Sequence, residues 1–133
     1  MIKIKQSREH GGLEKNMKLS EVKEILNANV LTGEDMLDNE INSACGSDLM
    51  SDVLAYVKDR VLLLTGLVNP QVVRTAEMMD IGAIVFVRGK CPDAMTVELA
   101  KMKGIAIFTT EYPLYLACGK LYSNGLKGKT EEE

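Results

Sequence analysis

Tryptophan is absent from this 133-residue chain, and aromatic residues of all kinds amount to two Phe and four Tyr. Proteins that hold single-stranded nucleic acid stack bases on aromatic side chains, so that class of function is poorly supplied. A surplus of positive charge is lacking as well. Sixteen Lys and Arg face 19 Asp and Glu, for a net charge of −3, whereas a nucleic-acid binder wants a basic stripe. No apolar run approaches the roughly 18 residues of a membrane span. The first twelve residues have neither the apolar centre nor the small-residue cleavage site of a secretory signal. The expectation is a cytoplasmic protein without nucleic-acid or membrane partners.

Catalytic and ligating residues are scarce too. His10 is the one histidine and lies in a polar opening segment, which leaves no Ser–His or Cys–His pair inside the domain. Cys45, Cys91 and Cys118 are odd in number and far apart. They make no CxxC pair, no metal-ligand pattern and no even disulfide framework, as expected of reduced thiols. Gly128-Lys129-Thr130 hints at a phosphate-binding loop, but that loop needs a glycine where Ser123 stands, a strand before it and a helix after it. No GxGxxG follows any apolar run. No cofactor, no metal and no enzymatic activity are expected.

What is present is a rhythm. At 46% hydrophobic and 26% charged residues, the chain has the composition and length of one ordinary domain. Residues 1–16 read as a mobile arm, 17–122 as the folded domain and 123–133 as a charged tail. Ser20 is a plausible cap for a helix carrying Val22, Ile25 and Leu26. Asn29–Thr32 reads as a short strand, and Ile41–Cys45 as a second. Ser47 or Asp48 then caps a helix with Met50, Val53, Leu54 and Val57 on one face. Three continuous apolar runs follow, 61–64, 81–87 and 105–108, each succeeded by a helical stripe. Pro70, Pro92 and Pro113 stand at the openings of those helices, and Met95, Leu99 and Met102 form the apolar stripe of the second. Continuous apolar strands alternating with helices predict an α/β fold: layered βα repeats with a mostly parallel sheet flanked by helices.

Such a sheet gathers its strand C-termini, and the following helix N-termini, on one edge, which suits anions. Here that edge should collect Thr65, Gly66 and Asn69, then Arg88, Gly89 and Lys90, then Thr109 and Thr110. Cys45, Gly46, Ser47 and Asp48 could join them. Glycines, hydroxyls and two cations are what a nucleotide or another phosphate-bearing small molecule would use; ordinary turn chemistry would use the same residues. Asp35, Asp38 and Glu40 read as a solvated acidic turn, and Cys91 as a loop cysteine.

The stretches MKLSEVKEIL, SACGSDLMSDVLAYV, VLLLTGLVNPQVVRTAEMMDIGAIVFVRGKCPDAMTVELAKMKGIAIF and TTEYPLYLACGKL, from Met17 to about Tyr122, resemble the DRTGG domain family. Leu67-Val68 and Arg88-Gly89-Lys90 stand where that family carries Asp-Arg and Thr-Gly-Gly. The resemblance implies a fold similar to the N-terminal domain of HPr kinase/phosphorylase. It also implies a regulatory or assembly module, often a homodimer, without established catalysis. Two functions follow as expectations. One is a non-catalytic regulatory domain that self-associates and binds a small anionic ligand. The other is a dimerising adaptor that docks to a metabolic or redox enzyme through an exposed apolar helix face, with Met50, Val53 and Leu54, or Leu114 and Tyr115, as candidates.

Overall fold

The computed structural model describes residues 16–55 and 60–127. The expected arm up to residue 15, with His10, and the Gly128-Lys129-Thr130 sequence lie outside the described residues. The elements in chain order begin with β1 (Met17–Lys18), α1 (Leu19–Ile25), β2 (Asn29–Thr32), β3 (Glu40–Ile41), β4 (Ser43–Gly46) and α2 (Met50–Leu54). They continue with β5 (Val61–Thr65), α3 (Pro70–Met78), β6 (Ala83–Phe86), α4 (Ala94–Lys103), β7 (Ala106–Thr109) and α5 (Leu114–Ser123).

Five strands form one sheet in the order β2-β7-β6-β5-β4. The pairs β4–β5, β5–β6 and β6–β7 are parallel, with Thr65 opposite Phe86 and Phe86 opposite Thr109. Strand β2 runs antiparallel to β7, with a register irregularity between Val30 and Thr32. The α/β class with a mostly parallel, helix-flanked sheet is therefore as the alternating runs predict, with β2 as the one reversed strand of this sheet among the described residues. The run Ile41–Cys45 is not one strand. Ile41 belongs to β3, paired with β1 in a separate two-stranded ribbon, and the chain joins the main sheet only from Ser43. Asn42, whose N–H donates to the Arg60 carbonyl at 3.1 Å, sits at the break.

Alternate side chains of the buried strands serve opposite faces, which is why 61–65 and 83–86 read as unbroken apolar runs. One face packs Leu62, Leu64, Val85 and Phe108 under Val22 and Leu26 of the α1 segment and Ala117 and Leu121 of α5. The other packs Leu63, Ile84, Phe86 and Ile107 under Met50 and Val53 of α2, Val72, Val73 and Ala76 of α3 and Ala100 of α4. Met50 and Val53 are thus core residues, not an exposed docking stripe. Of the expected Met95–Leu99–Met102 stripe, only Leu99 packs against the second core, half-buried. Met95 and Met102 are 71% and 76% exposed, and α4 meets the sheet through Thr96 and Ala100 instead. Small residues on the inner face let the helix lie close, and period alone does not say which side of a helix turns inward.

Helix ends follow local chemistry with two departures. Asn69 Oδ1 accepts from Gln71 N–H and Asp93 Oδ1 from Thr96 N–H, capping α3 and α4. Ser20 is not a cap: α1 begins at Leu19, and the Glu21 carboxylate accepts from Lys18 N–H at 2.9 Å. Pro92 lies two residues before α4 starts. The tail expected from Ser123 onward begins inside the fold, because Ser123 closes α5 and Leu126 is buried against the first core. Gly46 at the end of β4 lets α5 approach closely; a Cβ there would stand 2.8 Å from Cys118 Sγ.

Candidate functional site

Strands β4, β5, β6 and β7 end in register, so the segments that follow share one rim. At the end of β5, Thr65 is fully buried, and its hydroxyl donates to Asp48 Oδ1 at 3.1 Å. The same hydroxyl oxygen accepts from Leu67 N–H at 3.1 Å. Gly66 N–H donates to the same Asp48 oxygen at 2.7 Å. Asp48 comes from the turn after β4. Neither Ser47 nor Asp48 caps α2, whose N-cap residue is Leu49 without a side-chain bond: Ser47 Oγ accepts from Leu49 N–H at 3.0 Å within the turn, and the Asp48 carboxylate crosses to the neighbouring strand end.

At the end of β6 the chain reverses over Val87–Lys90, with Lys90 N–H donating to the Val87 carbonyl at 3.1 Å. Arg88 and Gly89 at the two central positions have φ of 58° and 68°, the sign pattern of a type I′ turn, whose preferred residues are Asn-Gly. Their N–H groups donate to the carbonyls of Tyr112 and Thr110 at 2.8 and 2.9 Å, tying this turn to the segment after β7. The guanidinium of Arg88 lies over Gly66: a Cβ on that glycine would stand 2.7 Å from an Arg88 terminal nitrogen and 3.5 Å from Asp48 Oδ1. Glu111 covers Gly89 in the same way, with a carboxylate oxygen 2.8 Å from where a Cβ would be.

The rim therefore brings Thr65, Gly66 and Arg88 together with Asp48, and sets Gly89 against Glu111. Lys90 is exposed at the end of the turn. The remaining candidates are held by the fold. Thr110 is buried, and its hydroxyl donates to the Leu26 carbonyl at 2.7 Å. Thr109 pairs with Asn29 at the junction of β7 and β2, and Asn69 caps α3. With Asp48 beside Arg88 and Glu111 over Gly89, the rim carries both signs of charge rather than forming a plain anion hole. Glu111 had no sequence signal, because what places it is the bonding of the β6 turn to the Thr110 and Tyr112 carbonyls, about twenty residues downstream.

Burial pushes the thiols of Cys45 and Cys118 up, with Cys118 and Asp52 adding to the effect at Cys45. Both thiols are therefore poor nucleophiles at neutral pH. Hydrogen bonding from Thr96 holds the Asp93 carboxyl below the usual range. At the opposite end of the sheet, a cleft of about 310 Å³ is lined by Met36, Glu40, Arg60 and Asp80 among others. Among the described residues no cluster of three or more His, Cys, Asp or Glu could hold a metal ion, and no helix is long and apolar enough to cross a membrane.

No family model matches the chain, and no curated protein matches it. A solved structure does share its fold: the CBS and DRTGG domains of the regulatory region of Clostridium perfringens pyrophosphatase, complexed with the activator diadenosine tetraphosphate. The two superpose with a TM-score of 0.61 at 14% sequence identity, over 82% of this chain and 45% of that one. This chain thus corresponds to less than half the length of that regulatory region, and at such identity the likeness is one of fold.

Proposed function

We propose that the chain is a non-catalytic regulatory module that binds a small phosphate-bearing ligand at the rim formed by Thr65, Gly66, Arg88 and Lys90. The observation that carries this reading is Arg88. A non-glycine residue in the left-handed region costs roughly 1–2 kcal/mol, and the turn itself would be better served by Asn. The strained conformation delivers a guanidinium to the end of β5 beside a glycine that leaves room for it. Strain of this kind, kept for the sake of a side chain, is characteristic of ligand contacts. The shared fold with a region solved in complex with a nucleotide activator supports the same reading.

Self-association belongs to this proposal, and it is also what the adaptor reading requires. Of the expected Leu114 and Tyr115 face, Leu114 packs against the first core, and helix α5 instead exposes Tyr115 (91%), Tyr122 (56%) and Leu116 (42%), apolar surface of the kind that marks protein contacts. In the adaptor reading, that surface alone would dock to a metabolic or redox enzyme.

Isothermal titration with AMP, ATP, diadenosine tetraphosphate and acetyl phosphate tests the ligand. At least one nucleotide should bind, and Arg88→Ala should weaken it about tenfold or more, the loss of one charge-assisted contact. A folded protein that gives no heat with any of them refutes ligand binding and leaves the adaptor. Sedimentation should show a dimer that Tyr115→Glu dissociates; a monomer at high concentration refutes self-association.

A further inference from the structure

We propose that the Arg88–Asp48 pair of side chains at Gly66 reads a hydroxyl-bearing phosphate ester, a ribonucleotide or sugar phosphate, with Arg88 taking the phosphate and Asp48 the sugar hydroxyls. This rests on the ligand-binding reading above and narrows its chemistry. A terminal nitrogen of Arg88 and Oδ1 of Asp48 lie within 2.7 and 3.5 Å of one point, the place where a side chain on residue 66 would begin. The two groups share that point and make no ion pair with each other. Asp48 Oδ1 is committed to Gly66 N–H and the Thr65 hydroxyl, which fixes the carboxylate in place. Its second oxygen has no donor among the described residues, and Asp48 is exposed.

A fixed carboxylate beside a guanidinium discriminates between ligands. A bare phosphate drawn to Arg88 would meet the Asp48 charge at close range and be repelled. A ligand that places a hydroxyl there instead donates a hydrogen bond to the carboxylate while its phosphate pairs with the guanidinium. Dinucleotide-binding folds use an acidic side chain on ribose hydroxyls by the same chemistry. A ligand with acceptor charge at one end and hydroxyl donors a few ångströms away satisfies both the guanidinium and the carboxylate. Lys90, exposed at the end of the same turn, is placed to take further phosphate charge.

The test titrates the whole chain with AMP, 2′,3′-dideoxy-AMP, ribose 5-phosphate and inorganic pyrophosphate, before and after Asp48→Asn. Asparagine keeps an oxygen for the Gly66 and Thr65 donors, so the variant should fold; circular dichroism checks this. The wild type should bind AMP about tenfold or more tightly than the dideoxy compound. The variant should lose that preference and bind pyrophosphate more tightly than the wild type does. Binding of ribose 5-phosphate equal to that of AMP assigns a sugar phosphate, and weaker binding assigns a ribonucleotide. Equal wild-type affinity for AMP and its dideoxy analogue, with both lost in Arg88→Ala, overturns the sugar reading while the anion site stands. No binding by any probe overturns both.

Discussion

At the N-terminal end of the parallel strands, Gly33 presses against backbone; at the C-terminal end, Gly66 and Gly89 meet only the tips of long side chains. A Cβ on Gly33 would stand 2.7 Å from Ala106 Cβ and 2.8 Å from Ala106 Cα, whereas at Gly66 and Gly89 the nearest obstacles are the heads of Arg88 and Glu111. Left-handed residues also differ in what they do. Asn27, Asp80 and Gly104 stop helices α1, α3 and α4, and the next residue's N–H reaches back to Lys23, Ala76 and Ala100 at 2.9, 2.8 and 2.9 Å. This is a standard helix stop. Arg88 follows a strand and stops nothing. Gly33 thus meets structure that cannot give, whereas Gly66 and Gly89 are covered by the heads of charged side chains.

The sharpest break in that contrast would come at Gly33. Its φ of 99° and the contact with Ala106 predict that Gly33→Ala loses about 3 kcal/mol of stability in urea unfolding, from backbone strain and overpacking together. A loss below about 1 kcal/mol would show that this end is as yielding as the other. Arg88→Asn should act in the opposite sense. Asn suits the first central position of the turn, so stability should rise by roughly 0.5 kcal/mol while nucleotide binding is lost. If the variant is instead destabilised, the guanidinium is serving the fold and the strain has a structural cause.

The smallest effect concerns the helix starts, which the βα order places at the C-terminal end. The Asp93 carboxyl, held low by Thr96, favours folding at pH above the unfolded value of about 3.9. As pH falls past that value the unfolded chain takes up the proton first, so this contribution is lost as pH drops through the folded value. Asp93→Asn should lower Tm slightly at neutral pH and leave it nearly unchanged at the acid end, so that the acid limb of Tm against pH flattens. An unaltered acid limb would show that the cap's charge adds nothing.

Much of the architecture is legible in the sequence. Val61–Thr65 and Ala83–Phe86 lack polar alternation because both of their faces are buried; a strand with one wet face would alternate instead. Pro70 and Asn69 mark the start of α3 for reasons internal to the chain. The departures fall where neighbours decide. Met95, Leu99 and Met102 share a helical face, but whether that face or the Thr96–Ala100 face turns inward depends on the sheet beneath. Ile41–Cys45 reads as one strand, yet its halves join different sheets. Of the candidate site, Thr65, Gly66 and Arg88 converge, while Thr110 spends its hydroxyl on Leu26.

Composition and periodicity alone determined the α/β class, the parallel core strands and the lack of a histidine base anywhere in the domain. These depend on which residues occur and how they alternate, which are properties of the chain. The reversal of β2, the capture of the Asp48 carboxylate by Gly66 and the folding of Arg88 over that glycine were decided only by the tertiary structure. Each joins residues distant in the chain, and no local rule fixes the direction in which an exposed side chain turns when its partner arrives from another strand.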